Sequence, residues 1–348
     1  GDVYKRQVFF FSDHGVGLPR GKRLLHDSGM HVPLIIHFPE KYANLAPSPA
    51  GDQNDQLVSF VDFAPSVLEL AGVDVPDHFQ GRAFVGGTVE RPRRYIFGAR
   101  DRVDEVFDVA RSVRDKRYLY IRNFMPHLSW MPKERYSDQS LMRQEMLRLR
   151  QEEQLDPVEM TYAANQRSVE ELYDTLADPY QINNLASSDQ HEQTLEALRE
   201  QMDRWILRTR DLGFLPESIV WKRIGAGTPW DLGRDERRYG LANILSAAQA
   251  VGVQRRIPEL RGLLGDVDAA VRCWGAIGCQ AAGEQVEDLR GPLLNALQDD
   301  DAAVRIESAS ALIAQGNRQP AMNLLLRELE NPRPETVLRS IRALELCG

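Results

Sequence analysis

The sequence predicts an α/β segment followed by a small antiparallel sheet and an all-α solenoid of helical repeats. Three observations predict this. The apolar run Val8–Phe11 ends abruptly in Ser12-Asp13-His14-Gly15, and a second apolar run, Val32–Phe38, follows a loop rich in Gly and Pro. Later segments alternate aromatic and polar residues with period two, the signature of half-buried strands. In the last third, Asp268-Ala269-Ala270-Val271-Arg272 recurs as Asp301-Ala302-Ala303-Val304-Arg305, 33 residues further on.

Each element has its own warrant. Val8–Phe11 and Val32–Phe38 are short, aromatic and β-branched, which suits buried central strands. Gly15, Gly17, Pro19 and Gly21 keep the stretch between them a loop. Val58–Gly72 has helical spacing, with Val61, Ala64, Val67, Leu68 and Ala71 expected on one buried face and Gly72 as the stop. Tyr95–Phe97, Val109–Val113 and Tyr118–Arg122 read as antiparallel strands, with a hairpin turn at Asp115-Lys116. Ser140–Gln154 reads as an amphipathic helix, Glu171–Asp174 as an edge strand, and 189–210 as a further helix. Residues 213–235 hold Pro216, Gly225, Gly227, Pro229 and Gly233 and read as a linker. Beyond it, each repeat reads as an apolar helix, an Asp-rich turn able to cap the next helix, and an Ala-rich helix. Such pairs bury their faces only by stacking. The expected domains are therefore 8–91, 92–212 and 236–348, joined by 213–235.

Composition narrows the function classes. The 348 residues are 43% hydrophobic and 27% charged, an ordinary globular balance that allows two or three domains. A net charge of -8 and the lack of a long basic run argue against nucleic acid as a partner. No apolar run approaches ~18 residues, so no membrane span is expected. Cys273, Cys279 and Cys347 fit no zinc spacing and read as buried thiols. Residues 1–7 lack an initiator Met and a signal pattern, and read as a non-native leader.

The chemistry-bearing residues cluster early. Asp13 offers a hard oxygen donor and His14 a borderline nitrogen, so both suit a divalent cation. Adjacent residues on a regular strand face opposite ways, so both reach one ion only if the strand ends there, which Gly15 permits. The competing reading of Asp13 is a strand-end residue capping the next loop. Lys22, in the Gly-Pro loop, suits an anionic oxygen; its competing reading is a solvated lysine.

Phe11-Ser12-Asp13-His14-Gly15, then Pro19-Arg20-Gly21-Lys22, then Val32-Pro33-Leu34-Ile35-Ile36-His37-Phe38-Pro39 resemble the later half of a sulfatase catalytic domain of the alkaline-phosphatase-like superfamily. Val61–Val73 resembles the family's next helix. Ala99-Arg100-Asp101-Arg102, Ser112–Tyr118, Tyr120–Phe124 and Glu171–Asp174 with Asp178-Pro179 and Asn183–Ala186 resemble its heparan N-sulfatase-like branch. The likeness spans about residues 8–217, and the tail from about 236 resembles HEAT repeats.

The resemblance implies a sulfuric ester or sulfamate hydrolase acting on a sulfated sugar or another sulfate ester. It assigns Asp13 and His14 to a calcium (Ca2+) site, where many members carry Asp-Asn, and Lys22 to the sulfate group. It assigns Arg100 and Asp101 to the pocket rim as substrate contacts, against the alternative of a structural salt bridge. His26, His31 and His37 are expected to pack or face solvent. The family's nucleophile is a formylglycine made within a Cys/Ser-x-Pro/Ala-x-Arg motif, and no such motif occurs in these 348 residues. The chain is therefore expected to be an inactive fragment of a longer protein, extending beyond both ends. The family implies a periplasmic or extracellular location. A phosphodiesterase or phosphonate hydrolase of the same superfamily, or a non-catalytic scaffold binding a protein partner through its repeats, are the competing readings.

Overall fold

The computed structural model describes residues 6–87 and 91–347, so most of the expected leader at 1–7 lies outside the described residues. The chain divides into two compact units. One comprises residues 1–99, 111–121 and 171–199; the other comprises 100–110, 122–170 and 200–348.

In the first unit, β1 (Val8–Phe11) pairs antiparallel with β2 (Leu34–His37), Val8 opposite His37 and Phe11 opposite Leu34. The expectation of buried central strands fails here. The directly paired Phe10 and Ile35 are each 62% exposed. Strand side chains alternate faces, and only one face finds a partner: Phe9 and Phe11 pack on Phe63, at 6.1 and 4.9 Å between ring centroids. No described element covers the other face. The single helical turn α1 (Asp27–Met30) lies in the connecting loop.

Residues 60–62 form a 3-10 turn that runs into helix α2 (Phe63–Leu70), which ends before Gly72, at φ +67°. That stop is as expected, but the buried face is not. Val61 and Val67 are more than half exposed, whereas Asp62, Pro65 and Ser66 are buried. Hydrogen bonding overrides the apolar periodicity. The Asp62 carboxylate accepts from Arg93 Nε at 2.8 Å and from the Arg82 amide at 2.9 Å. Ser66 Oγ donates to the Asp62 carbonyl at 2.7 Å and accepts from the Phe84 amide at 3.1 Å. The helix thus lays its polar edge against Arg82, Phe84 and Arg93.

A four-stranded sheet runs in the order β3 (Ile96–Arg100), β4 (Ala110–Arg114), β5 (Tyr118–Asn123), β6 (Glu170–Asp174). The expected hairpin joins β4 to β5: the Asp115 carboxylate accepts from the Arg117 and Tyr118 amides at 2.7 and 2.6 Å. Such Asx geometry mimics a backbone turn. Strand β6 takes the sheet edge, as its sequence predicts.

The second unit holds α3 (Leu141–Gln151) and α4 (Pro157–Ala163), the latter opened by Asp156 and Glu159 in a reciprocal capping box with Pro at the first helical position. Helix α5 (Glu192–Thr209) spans the boundary between units. The stretch 213–235 carries α6 (Glu217–Ile224) and α7 (Pro229–Gly233) rather than open loop. Its Pro229 and Thr228 start a helix instead of breaking one, because Thr228 and Asp231 cap it reciprocally.

Then come α8 (Leu241–Ala250), α9 (Leu260–Leu264), α10 (Ala269–Ala282), α11 (Arg290–Ala296), α12 (Ala302–Ala314), α13 (Arg318–Glu328) and α14 (Pro334–Cys347). Helix α10 packs on α8, α9 and α12, and α12 packs on α11, α13 and α14. Leu260, Leu293, Ile306, Leu312 and Leu325 form their shared core. The repeated Asp residues do cap: Asp268 accepts from the Ala270 amide at 2.7 Å, and Asp301 from the Ala303 amide at 3.0 Å. The repeated Arg residues lock successive units, Arg272 onto Asp299 at 2.7 Å and Arg305 onto Glu328 at 2.7 Å. Cys273 and Cys279 are buried free thiols, and burial pushes the Cys279 thiol up to about 12. Among the described residues no helix is long and apolar enough to cross a membrane.

Candidate functional site

Strand β1 stops at Phe11, and the next residues turn sharply. Ser12 Oγ donates to the His14 carbonyl at 2.6 Å. His14 Nδ1 lies 2.7 Å from the Gly15 carbonyl, an acceptor, so Nδ1 is the donor in this contact and Nε2 is the nitrogen not engaged by it. Nε2 then sits 3.5 Å from Asp13 Oδ1, with Asp13 84% and His14 41% exposed. The strand end therefore brings two donor atoms to one place. Among the described residues no group of three or more His, Cys, Asp or Glu side chains is arranged to hold a metal. Calcium takes about six to eight oxygen ligands. Asp13 and His14 supply two donors, fewer than such a shell needs.

The loop that follows is tightly nested. The Gly15 amide donates to the Gly29 carbonyl at 3.0 Å, and the Lys22 amide to the Val16 carbonyl at 2.8 Å. The second bond closes the segment 16–22 on itself. Glycine is required by close approach: a Cβ at Gly15 would stand 2.0 Å from the Ser28 carbonyl oxygen, and one at Gly29 2.4 Å from that of Leu24. Lys22 is exposed, and its ammonium makes no ion pair among the described residues.

His26 is buried, as expected, while His31 and His37 are exposed. His26 Nε2 lies 3.2 Å from Glu171 Oε2, which also accepts from the Tyr173 hydroxyl at 2.8 Å. Burial lowers the His26 pKa against the opposing pull of Glu171, and burial raises that of the Tyr173 phenol.

Arg100 and Asp101 belong to the second unit. Arg100 is 6% exposed. Its Nε lies 2.9 Å from Asp108 Oδ2, and its guanidinium stands 5.4 Å above the Trp130 ring. Arg167 donates to the same Asp108 carboxylate at 2.8 Å and lies 4.1 Å from the Trp130 centroid. Burial alone would raise the Asp108 pKa, but the guanidiniums of Arg167 and Arg100 outweigh it and hold it below its usual value. Asp101 is half-buried. The packing thus engages Arg100 in an internal ion pair, the alternative that its sequence left open. Sequence reasoning missed Asp108, Arg167 and Trp130. No local signal marks them, since Arg167 and Asp108 are 59 residues apart.

Comparison with known proteins follows the same stretch. Residues 19–159 match the family model "N-sulphoglucosamine sulphohydrolase, C-terminal", which includes Lys22, Arg100 and Asp101 but stops short of Asp13 and His14. An ulvan-active sulfatase of Formosa agariphila is 39% identical over 221 residues, 64% of this chain and 36% of that protein. Human N-sulphoglucosamine sulphohydrolase is 24% identical over 215 residues, 59% of this chain and 42% of that protein. A solved structure of a 2-O GAG sulfatase superposes with a TM-score of 0.41 at 22% identity, covering 59% of this chain and 37% of that one. The chain thus spans about two fifths of the length of these relatives. Over the stretch they share, the comparisons support the sulfatase family, in its C-terminal portion, for this chain.

Proposed function

We propose that this chain is the C-terminal part of a hydrolase of sulfate esters or sulfamates on sugars, and that the turn from Asp13 to Lys22 is its contribution to the active site. The observation that carries the reading is the hydrogen bond from the Lys22 amide to the Val16 carbonyl, which brings the Lys22 backbone back to a residue two beyond His14. Asp13 Oδ1 and His14 Nε2 would hold one side of a calcium ion. When bound, that ion supplies positive charge that offsets the charge of a sulfate group. Lys22 would pair with a sulfate oxygen and stabilise charge developing on it. The Gly15 carbonyl accepts from His14 Nδ1 and orients the ring, with Nε2 3.5 Å from Asp13 Oδ1.

The nucleophile, a formylglycine by family resemblance, and the remaining ligands lie outside this reading of the 348 residues. The chain is accordingly proposed to be inactive by itself. The stacked helices 241–347 are proposed to be HEAT-like repeats that offer a surface to a protein partner. The test is an NMR titration with inorganic sulfate and calcium, run beside an aryl sulfate turnover assay. Shifts confined to residues 12–24, abolished in Lys22→Ala, with no turnover, are expected. Robust turnover by this chain, or sulfate shifts that survive Lys22→Ala, would overturn the proposal.

A further inference from the structure

We infer that Arg20 is a positioning residue for Lys22: it clamps the Lys22 loop onto the turn after β6, so that the loop is built before any anion arrives. The inference rests on the reading of Lys22 as an anion contact.

The loop backbone is held in a conformation it would not choose. Arg20 has φ +63° and Arg23 φ +78°, so two bulky residues flanking Lys22 sit in the left-handed region. L residues with such side chains adopt it rarely, and persist there only where the surroundings over-determine them. The surroundings do so here. The Arg20 guanidinium donates to the Tyr180 carbonyl at 2.6 Å and also to the Gln181 carbonyl. The same turn holds the far end of the loop, since the Gln181 side-chain oxygen accepts from the Asp27 amide at 2.9 Å. Asp27 is pinned in turn by Arg114 of β4, at 2.9 and 3.0 Å. Ser28 Oγ closes the ring by donating to the Arg20 carbonyl at 2.6 Å.

The clamp has a buried backing. The Arg20 guanidinium stands 5.9 Å above the Tyr173 ring. Tyr173 and His26 converge on one oxygen of Glu171. A strand-edge carboxylate, a phenol and an imidazole therefore form a fixed floor beneath Arg20. Gly15, Gly21 and Gly29 complete the device by letting backbone pass against backbone; a Cβ at Gly21 would stand 2.2 Å from the Val16 carbonyl oxygen.

This division of labour has a physical reason. The Arg20 donors are committed to carbonyls, so its planar fork sets geometry. Lys22 keeps its ammonium uncommitted while its backbone is already ordered. Ordering a loop upon binding would weaken affinity, and a prebuilt loop avoids that penalty.

The experiment uses the full chain and two readouts, amide exchange over residues 16–24 and affinity for inorganic sulfate. Arg20→Ala should speed exchange at 16–24 at least tenfold and leave β4 and β5 unchanged. It should weaken sulfate several-fold, yet have no further effect when added to Lys22→Ala. Arg20→Lys should restore neither readout fully, because a single ammonium nitrogen on a flexible stem lacks the rigid planar fork that engages the two carbonyls. Unchanged exchange in Arg20→Ala would overturn the clamp. Equal weakening of sulfate with and without Lys22 would make Arg20 a direct contact and overturn its positioning role. If Arg20→Ala does not fold, Gln181→Ala removes the second tether and should raise exchange over the same residues; unchanged exchange there counts against the clamp. Failure of the wild-type chain to bind sulfate would overturn both the Lys22 reading and the role of Arg20 in binding, while the exchange arm still decides whether the clamp exists.

Discussion

At the scale of single residues, tertiary partners decide what a side chain does. Asp108 is 3% exposed between two guanidiniums, so its loss would strand two buried cations. Asp108→Asn should cost about 3–5 kcal/mol in urea unfolding, the range for breaking a buried ion pair. Gly29→Ala should destabilise by about 1–3 kcal/mol, as overpacking does. The contacts that a Cβ would meet there are backbone, at 2.4 and 2.5 Å, and cannot swing aside. Amide exchange at residues 15–24 should rise with it. Asp13, His14 and Lys22 stand out in the sequence as candidates because they share one short loop. The Asp108 cluster was not, because folding brings its members from separate segments.

At the scale of elements, local signals held where the backbone itself was the partner. Asp115, Asp268 and Asp301 each satisfy amides two residues ahead, as their residue types predict. Asp301→Ala should lower stability by about 1–2 kcal/mol, and Asp268→Ala by about 1 kcal/mol, in parallel denaturant melts. The ranking follows burial: Asp301 is 4% exposed, and its loss leaves the Ala303 amide with less recourse to water. Helix α2 shows the limit of periodicity. Across 61–71 the residues Val61, Ala64, Val67, Leu68 and Ala71 mark an apolar face, but Arg93, Arg82 and Phe84 supply partners to Asp62 and Ser66, and the polar edge is buried. Apolar spacing records which face can be buried. The hydrogen-bond partners of a distant segment decided which face was.

At the scale of the whole molecule, buried histidines make stability depend on pH. Both ring nitrogens of His127 are buried with no hydrogen-bond partner among the described residues, and burial lowers its pKa to about 4. Unfolded, the ring titrates near 6.5. The folded chain stays neutral at His127 while the unfolded chain takes up a proton, so stability is fully present above about 6.5 and falls as pH drops toward 4. The shift corresponds to about 3 kcal/mol across that window. His26 acts in the same direction, so His127→Gln should flatten the profile in part. Asp108, whose pKa is lowered, contributes stability present above its unfolded pKa near 3.9 and lost only as pH falls through its lower folded pKa. Urea midpoints measured from pH 8 to 3 would check both windows. In the repeat core, Leu325→Ala should cost about 2–5 kcal/mol, since Leu325 is fully buried among α12, α13 and α14.

From the residues alone one reads the strands flanking a glycine loop, the hairpin at Asp115 and the capped helical repeats, and picks out Asp13, His14 and Lys22 as candidates. All of these rest on interactions within a few residues, or on a repeat that restates itself. Long-range contacts settle the rest: among the described residues β1 and β2 leave one face open, α2 turns its polar edge inward, Arg100 pairs with Asp108, and Arg20 bonds to the carbonyls of Tyr180 and Gln181. The reason is common to all four. Each depends on a partner far along the chain, and neither residue type nor spacing records which distant group folding will supply.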